Sequence, residues 1–509
     1  MWIFLFINLK NIIMSKFLNV KTLVFGILSF VFAGTLFFSC SSEKSSSDKT
    51  VVSETKPIID EATEKCISCH GDEGHGKSIV AEWSKSSHGS SGVGCLSCHQ
   101  AGKNDLDAFD HEGFTIATIV TPNDCAKCHP KESKEFQNSH HADAGMIMGS
   151  LDNVLAEVIE GHVAFNNGSN PAAAAGCHQC HGSKVELLKD KSGNVVKNEA
   201  GVVQYDPKTW PNTGIGRINL DGSKGSCSAC HSRHDFSREL ARNPENCGKC
   251  HQGPDHPQYE IYQLSKHGIA FEAHKDEMNL DSKKWVVGED YTVAPTCASC
   301  HISATPTMPV THEVGSRISW TLRPKVSEKL NGNGMPWEER RANMKKVCAE
   351  CHENSVIEGH YTQFDNEVNL YNEKFGKPAL KIMNLLKSEK LVTPVAFDEK
   401  IEWTYFYLWH HEGRRARHGA AMMAPDYTQW HGNFEVAERW YTEMVPEIKD
   451  IIADARRDGK IASANKVEAE LNKILNSDMH KWYLGKMSSD EVSKRKKASK
   501  EFRKRYSNN

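Results

Sequence analysis

The sequence predicts a mainly α chain whose core is filled by prosthetic groups rather than by side chains, followed by a C-terminal long-helix bundle. Three observations lead there. Apolar residues make up only 39% of the 509 positions, where globular chains carry about 45–50%. Against that deficit stand 17 Cys and 26 His, far more than an ordinary reduced cytosolic enzyme keeps. The cysteines stop at Cys351, and from there apolar residues recur at helical spacing. The length allows two or three domains. A formal net charge of −3 gives no sign of a nucleic-acid binder.

Sixteen of the 17 cysteines fall into one pattern. It reads Cys66-Ile-Ser-Cys69-His70, Cys95-Leu-Ser-Cys98-His99, Cys125-Ala-Lys-Cys128-His129 and Cys177-His-Gln-Cys180-His181. It continues as Cys227-Ser-Ala-Cys230-His231, Cys247-Gly-Lys-Cys250-His251, Cys297-Ala-Ser-Cys300-His301 and Cys348-Ala-Glu-Cys351-His352. C-x-x-C-H is the attachment signature of c-type haem: two thiols form thioethers to the porphyrin and the adjacent imidazole becomes the proximal iron ligand. Zinc sites would combine pairs into four-ligand sets and would not require a His after every second Cys. Structural disulfides favour longer, irregular spacings. The expected cofactors are therefore eight covalently bound haem c groups, and the fold class is a multihaem cytochrome c with a haem-filled core. Porphyrins are large, flat and mostly apolar, so they supply core that the side chains do not.

Cys40 is the remaining cysteine. Lys16 and Lys21, the apolar run 23–38 and Ser39 precede it, an arrangement of basic region, short apolar region and small residue that describes a secretory signal. With Ser41 and Ser42 after it, Cys40 resembles the lipidated first residue of a bacterial lipoprotein; a plain signal peptide or an uncleaved anchor is the alternative. Residues 1–40 are thus expected to be a lipoprotein-type signal peptide, and the Ser-rich residues 41–60 a flexible tether. No later stretch approaches about 18 consecutive apolar residues. The expected location is the periplasmic side of a bacterial membrane or the cell surface, held there by the lipid anchor.

Residues 61–360 form the octahaem domain, with attachment points 20 to 52 residues apart and too irregular for a solenoid. Strand patterns are few; residues 193–204 suggest a small hairpin. Residues 361–509 are expected to form a helical domain, approached through an apolar stripe of Val356, Tyr361, Phe364, Val368 and Tyr371. A longer helical run over 433–487 puts Val436, Trp440, Met444, Ile448 and Ile451 on one face, with Pro446 kinking or restarting it. Lys494-Arg-Lys-Lys and Arg503-Lys-Arg form a basic tail, ordinarily a solvated face.

Eight histidines are proximal and eighteen remain, so supply exceeds the need for second axial ligands whether or not one haem is open. His88, His234, His267, His312 and His140 or His141 sit in short polar segments near the motifs and are the candidate distal ligands; His418 joins the candidate metal ligands.

Two strings then carry a resemblance. The first is Cys247-Gly-Lys-Cys250-His251-Gln-Gly-Pro-Asp255-His256-Pro-Gln-Tyr259-Glu-Ile-Tyr262. The second is Trp409-His-His-Glu-Gly-Arg-Arg-Ala-Arg-His418-Gly-Ala-Ala-Met-Met-Ala-Pro-Asp426-Tyr427-Thr-Gln-Trp430-His431-Gly. With the number and order of motifs, they resemble the octahaem hydroxylamine oxidoreductase family over residues 61–485. The resemblance implies that the fourth haem, held by Cys177, Cys180 and His181, lacks a distal protein ligand and is the catalytic centre. It makes Asp255 and His256 the distal acid–base pair, where a His titrating near neutrality shuttles protons beside a carboxylate. Tyr361 is a further pocket candidate. Oxidative members carry a tyrosine cross-linked to the catalytic haem of a neighbouring subunit. If that position falls on Ala421 or Met422 the tyrosine is missing and the enzyme works reductively; if it falls on Tyr427, oxidation stays open.

The function expected is an oxidoreductase interconverting small nitrogen species at one open haem, nitrite or hydroxylamine toward ammonium in the favoured direction. Seven electron-transfer haems would serve it. The alternative is a non-catalytic multihaem electron-transfer cytochrome, and sulfite or tetrathionate reduction is a third possibility. The implied partners are a small nitrogen-oxide substrate, a quinol-linked or cytochrome redox partner, the membrane through the lipid, and two further copies in a homotrimer, with no nucleic acid.

Overall fold

A helical turn brings positions i, i+3 and i+4 onto one face, so both thiols and the imidazole of C-x-x-C-H converge only if the motif is coiled. In a computed structural model of the chain, which describes residues 56–71, 76–149, 151–161, 171–319 and 335–507, most motifs fall in or beside short helices. The first motif closes α1 (Glu61–His70), and the second and seventh form the helices Cys95–His99 and Cys297–His301. Local chemistry starts these helices. Asp60 accepts the Thr63 N–H at 2.7 Å ahead of α1, Thr121 and Asp124 form a capping box before the third motif, and Asn243 with Pro244 opens the sixth.

Among the described residues the one regular sheet is a hairpin, β1 (Phe109–His111) with β2 (Phe114–Ile116), paired Phe109↔Ile116 and His111↔Phe114. Its two-residue turn has positive φ at both Glu112 (49°) and Gly113 (84°), the primed geometry that suits strand twist. Residues 193–204 fold back antiparallel as the expected small hairpin, through the bridge Lys197↔Val203, and a second turn just before them adds Lys189↔Val195, with Leu187↔Tyr205 alongside. Asp190 and Asn198 accept N–H groups in the two turns.

The apolar side-chain core lies at the C-terminal end. It is built from α2 (Asn354–Tyr371), α3 (Lys377–Ser388), α4 (Gly413–Ala421), α5 (Val445–Arg457) and α6 (Ile461–Leu475). Ile382, Leu386, Trp440, Met444, Ile448 and Val467 are fully buried in one cluster. Pro446 sits in the first turn of α5, directly after a π-helical turn at Trp440–Met444, and so restarts the helix. The long run ends at Gly459, whose φ of 77° separates α5 from α6. Two register expectations are corrected. Val356 is exposed and Ile357 buried in its place, while Ile452 is buried and Ile451 only partly. α2 spans residues 360 and 361 without a break, so the expected domain boundary falls inside a helix.

Thr55–Asn509 is one compact unit. Residues 1–40, with Cys40, and 41–55 of the expected tether lie outside the described residues; Ile58, in the remainder, donates its N–H to Gly89 at 2.9 Å. No helix among the described residues is long and apolar enough to cross a membrane.

Candidate haem ligands and candidate active site

The haem-bearing half has a small side-chain cluster of its own, around Trp285 with Tyr262, Phe271 and Tyr291. That half surrounds one continuous cavity of about 3170 Å³, whose wall includes cysteines of every motif from the second to the eighth. Two imidazoles on opposite faces of one iron, each bound at about 2 Å, place their ring centroids about 6.3 Å apart. The structure sets His88 opposite His129 at 6.2 Å, His99 opposite His234 at 6.4 Å, His141 opposite His251 at 6.0 Å and His267 opposite His352 at 6.0 Å. His70 faces His111 at 6.1 Å. His312 is close enough to lower the pKa of His231. The residues present therefore fit haem.

Electrostatics fit as well, because iron takes neutral imidazole. Burial pushes His141 down to about 3 and His231 and His301 down to about 4. The ring of His99 is oriented from behind, its Nδ1 2.9 Å from the Ala117 carbonyl. His140 is half-buried on the cavity wall and is also held neutral by burial; of the two neighbours it is His141 that faces a proximal ring.

Sulfur contacts between motifs give their spatial order. Cys66 meets Cys95, Cys125 meets Cys227, Cys247 meets Cys297, and Cys180 meets Cys250. Cys98 feels Cys125, Cys230 feels Cys247 and Cys300 feels Cys348. The motifs thus run first, second, third, fifth, sixth, seventh, eighth, with the fourth branching from the sixth.

At that branch lies Asp255, five residues after Cys250. Arg414 Nη1 donates to its Oδ2 at 3.2 Å; His410 Nε2 is 3.8 Å from the same oxygen, and His256 Nε2 is 3.7 Å from Oδ1. All four line the cavity together with Cys177, Cys180 and His181. A helix and a π-helical turn deliver the partners: Tyr407–Glu412 carries His410 and His411, and α4 follows at once with Arg414 and His418. The wider π turn lets consecutive side chains take separate directions, a common device at functional sites. Burial, with Arg417 and Arg414 nearby, pushes His418 down to about 3.

His410, His411, Arg414 and His111 are site residues that sequence reasoning did not assign. The first three were inside the unusual string beginning at Trp409; His111 had no local mark. Tyr361 is buried on the cavity wall beside Cys348, with the Arg341 guanidinium 4.5 Å over its ring. Tyr427 is not among the lining residues; it lies against His431, ring centroids 5.3 Å apart, while Ala421, Met422 and Met423 form that part of the wall.

Comparison with known proteins agrees with reading the motifs as haem c attachment points. A family model described as seven times multi-haem cytochrome CxxCH matches residues 218–395, and one described as cytochrome c554 and c-prime matches residues 37–100 and 124–203. The chain is 25% identical over 352 residues to a probable nitrite reductase-hydroxylamine oxidoreductase fusion protein of Kuenenia stuttgartiensis, covering 58% of this chain and 35% of that one. It is 25% identical over 207 residues to the C-type polyheme cytochrome OmcB of Geobacter sulfurreducens, covering 34% of this chain and 25% of that one. A solved structure titled hypothetical multiheme protein superposes with a TM-score of 0.65 at 25% identity, covering 79% of this chain and 97% of that one. The chain spans only 35% and 25% of the lengths of these two curated relatives.

The motifs, the cavity and these matches define a multihaem c-type cytochrome with covalently bound, redox-active haem c. Within that class the chain is related to the hydroxylamine oxidoreductase group.

Proposed function

We propose that the chain binds eight haem c groups and reduces nitrite or hydroxylamine toward ammonium at the fourth, held by Cys177, Cys180 and His181. Bound haem supplies electrons and an iron coordination position. What the protein's own groups do follows from their placement. Arg414 holds Asp255 by a charge-assisted hydrogen bond, and Asp255 in turn orients His256, the proton donor to the nitrogen species. The same guanidinium attracts anionic nitrite into the cavity. The observation that carries this reading is the Asp255 cluster, built where the fourth motif branches from a line in which the histidines of the first, second, third, sixth and eighth motifs face second imidazoles. A cytochrome tethered to the membrane is readily supplied with electrons from quinol, which favours the reductive direction.

His256→Ala should abolish turnover of hydroxylamine and nitrite, with the haem content measured by pyridine haemochrome unchanged; activity equal to wild type would overturn its role. The similarity to a polyhaem cytochrome favours a second reading, an electron carrier whose irons are all six-coordinate. Export, a lipid on Cys40, a quinol-linked or cytochrome donor and a homotrimeric assembly belong to the same proposal, supported by the signal-like sequence around Cys40 and the family resemblance.

A further inference from the structure

A second cavity, of about 420 Å³, adjoins the first, and Tyr407 and His411 line both. Its wall holds four carboxylates, Glu412, Glu435, Glu438 and Glu443, against two guanidiniums, Arg415 and Arg439. The excess of negative charge disfavours an anion and favours protons. Arg439 donates to Glu412 Oε1 at 2.7 Å and also to Glu443, and Arg415 donates to Glu435 at 2.6 Å. Glu412 is 3% exposed, and its buried Oε2 accepts no hydrogen bond. Burial holds that carboxyl above its usual range although Arg439 and Arg415 pull the other way, which favours the protonated form of a group able to give up a proton.

On the inner side His411 faces Asp255, whose charge favours the imidazolium, and Arg414, Arg415 and Arg439, which oppose it; burial is the largest effect and keeps the ring neutral. A neutral imidazole offers one nitrogen that accepts and one that donates. With the Tyr407 hydroxyl it is therefore one of two groups on the shared wall that can both accept and donate a proton, and of the two it is the one whose accepting and donating atoms are distinct.

We infer that Glu412 and His411 form the proton route from the outer acidic cavity to Asp255 and His256. The inference rests on the reductive reading above, because reducing hydroxylamine to ammonia and water consumes two protons with every two electrons. No hydrogen bond joins Glu412 Oε2 directly to His411, so each passage runs through water. A proton leaves Glu412 Oε2, one ring nitrogen of His411 takes up a proton on the outer side, the opposite nitrogen releases its own toward Asp255, and the ring then turns over to restore its starting tautomer. The carboxylate is then reprotonated from solvent through the outer cavity, and no electron moves along this path. His411 and Glu412 are relay residues and do not touch substrate.

The test uses the full-length holoprotein with His411→Ala and Glu412→Gln, assayed for hydroxylamine reduction by reduced methyl viologen between pH 6 and 9. Both variants should lose about 10–100-fold in kcat, with KM and haem content unchanged and the deficit growing with pH, and added imidazole should restore His411→Ala. Wild-type kcat and pH profile in both variants, or a loss that imidazole leaves in place while KM rises, would overturn the route. Cyanide provides a readout independent of turnover. Hydrogen cyanide gives up its proton when it binds as the anion, and a pH indicator should see that proton released about 10-fold more slowly in His411→Ala; an unchanged rate overturns the route. A wild-type protein that binds cyanide yet reduces neither nitrite nor hydroxylamine would remove the reductive reading, and the cyanide experiment would still decide the route.

Discussion

Iron binds an imidazole only when that imidazole is neutral, and burial is what keeps His141, His231 and His301 neutral well below the ordinary range. The proximal histidines were legible because covalent attachment fixes their spacing from two cysteines. His88, His234, His141 and His267 were legible as polar-segment histidines near the motifs, and the structure sets each opposite a proximal ring. His111 was not, because it reaches His70 through a hairpin whose turn, Glu112-Gly113, carries no metal-binding pattern. His111→Ala should convert one low-spin haem to high-spin in the absorption and paramagnetic resonance spectra while leaving catalytic turnover in place; an unchanged spectrum would contradict the pairing. His411 makes a pH prediction. Its folded pKa is pushed down to about 4, below the unfolded value of about 6.5. As pH falls below that value the unfolded chain binds a proton that the folded protein refuses, so His411's contribution is intact above about 6.5 and lost as pH falls through about 4. His411→Ala should therefore flatten the fall of Tm over that window, measured by circular dichroism.

Among elements, periodicity of 3.6 residues located the C-terminal helices but could not locate the π-helical turns that interrupt them at Tyr407–Glu412 and Trp440–Met444. The stripe through Val436, Trp440, Met444 and Ile448 holds across the turn at Trp440–Met444, and the error comes after it, where a step of three from Ile448 reached Ile451 and the residue four on, Ile452, is the buried one. The second conspicuous string owes several of its small residues to packing. A Cβ on Gly413 would lie 2.4 Å from the Tyr371 ring of α2, and one on Gly432 would lie 2.6 Å from Ala416 of α4. α4 is thus pressed between its neighbours and cannot shift, which fixes Arg414 against Asp255. Gly413→Ala should cost about 1–3 kcal/mol by forcing α2 and α4 apart, seen as a lowered midpoint in urea unfolding of the holoprotein; a midpoint equal to wild type would show that the interface gives way freely.

For the whole molecule, a shortage of apolar residues and an excess of Cys and His told that cofactors fill the core, and the cavity that runs through the haem-bearing half agrees. The order in which the motifs meet was not legible, since sequence order runs from first to eighth whereas the fourth branches from the sixth in space. That branch separates one site from a line of relays, and it is where Asp255, His256 and Arg414 gather. In the proposed reading, electrons collected along the line reach the branch and protons enter past His411. The most direct test is to count high-spin iron in the purified oxidised holoprotein by magnetic circular dichroism, before and after adding cyanide or hydroxylamine. One iron in eight should be high-spin and should change with the ligand. A spectrum wholly low-spin and indifferent to both would make the protein a conduit and contradict the open fourth site.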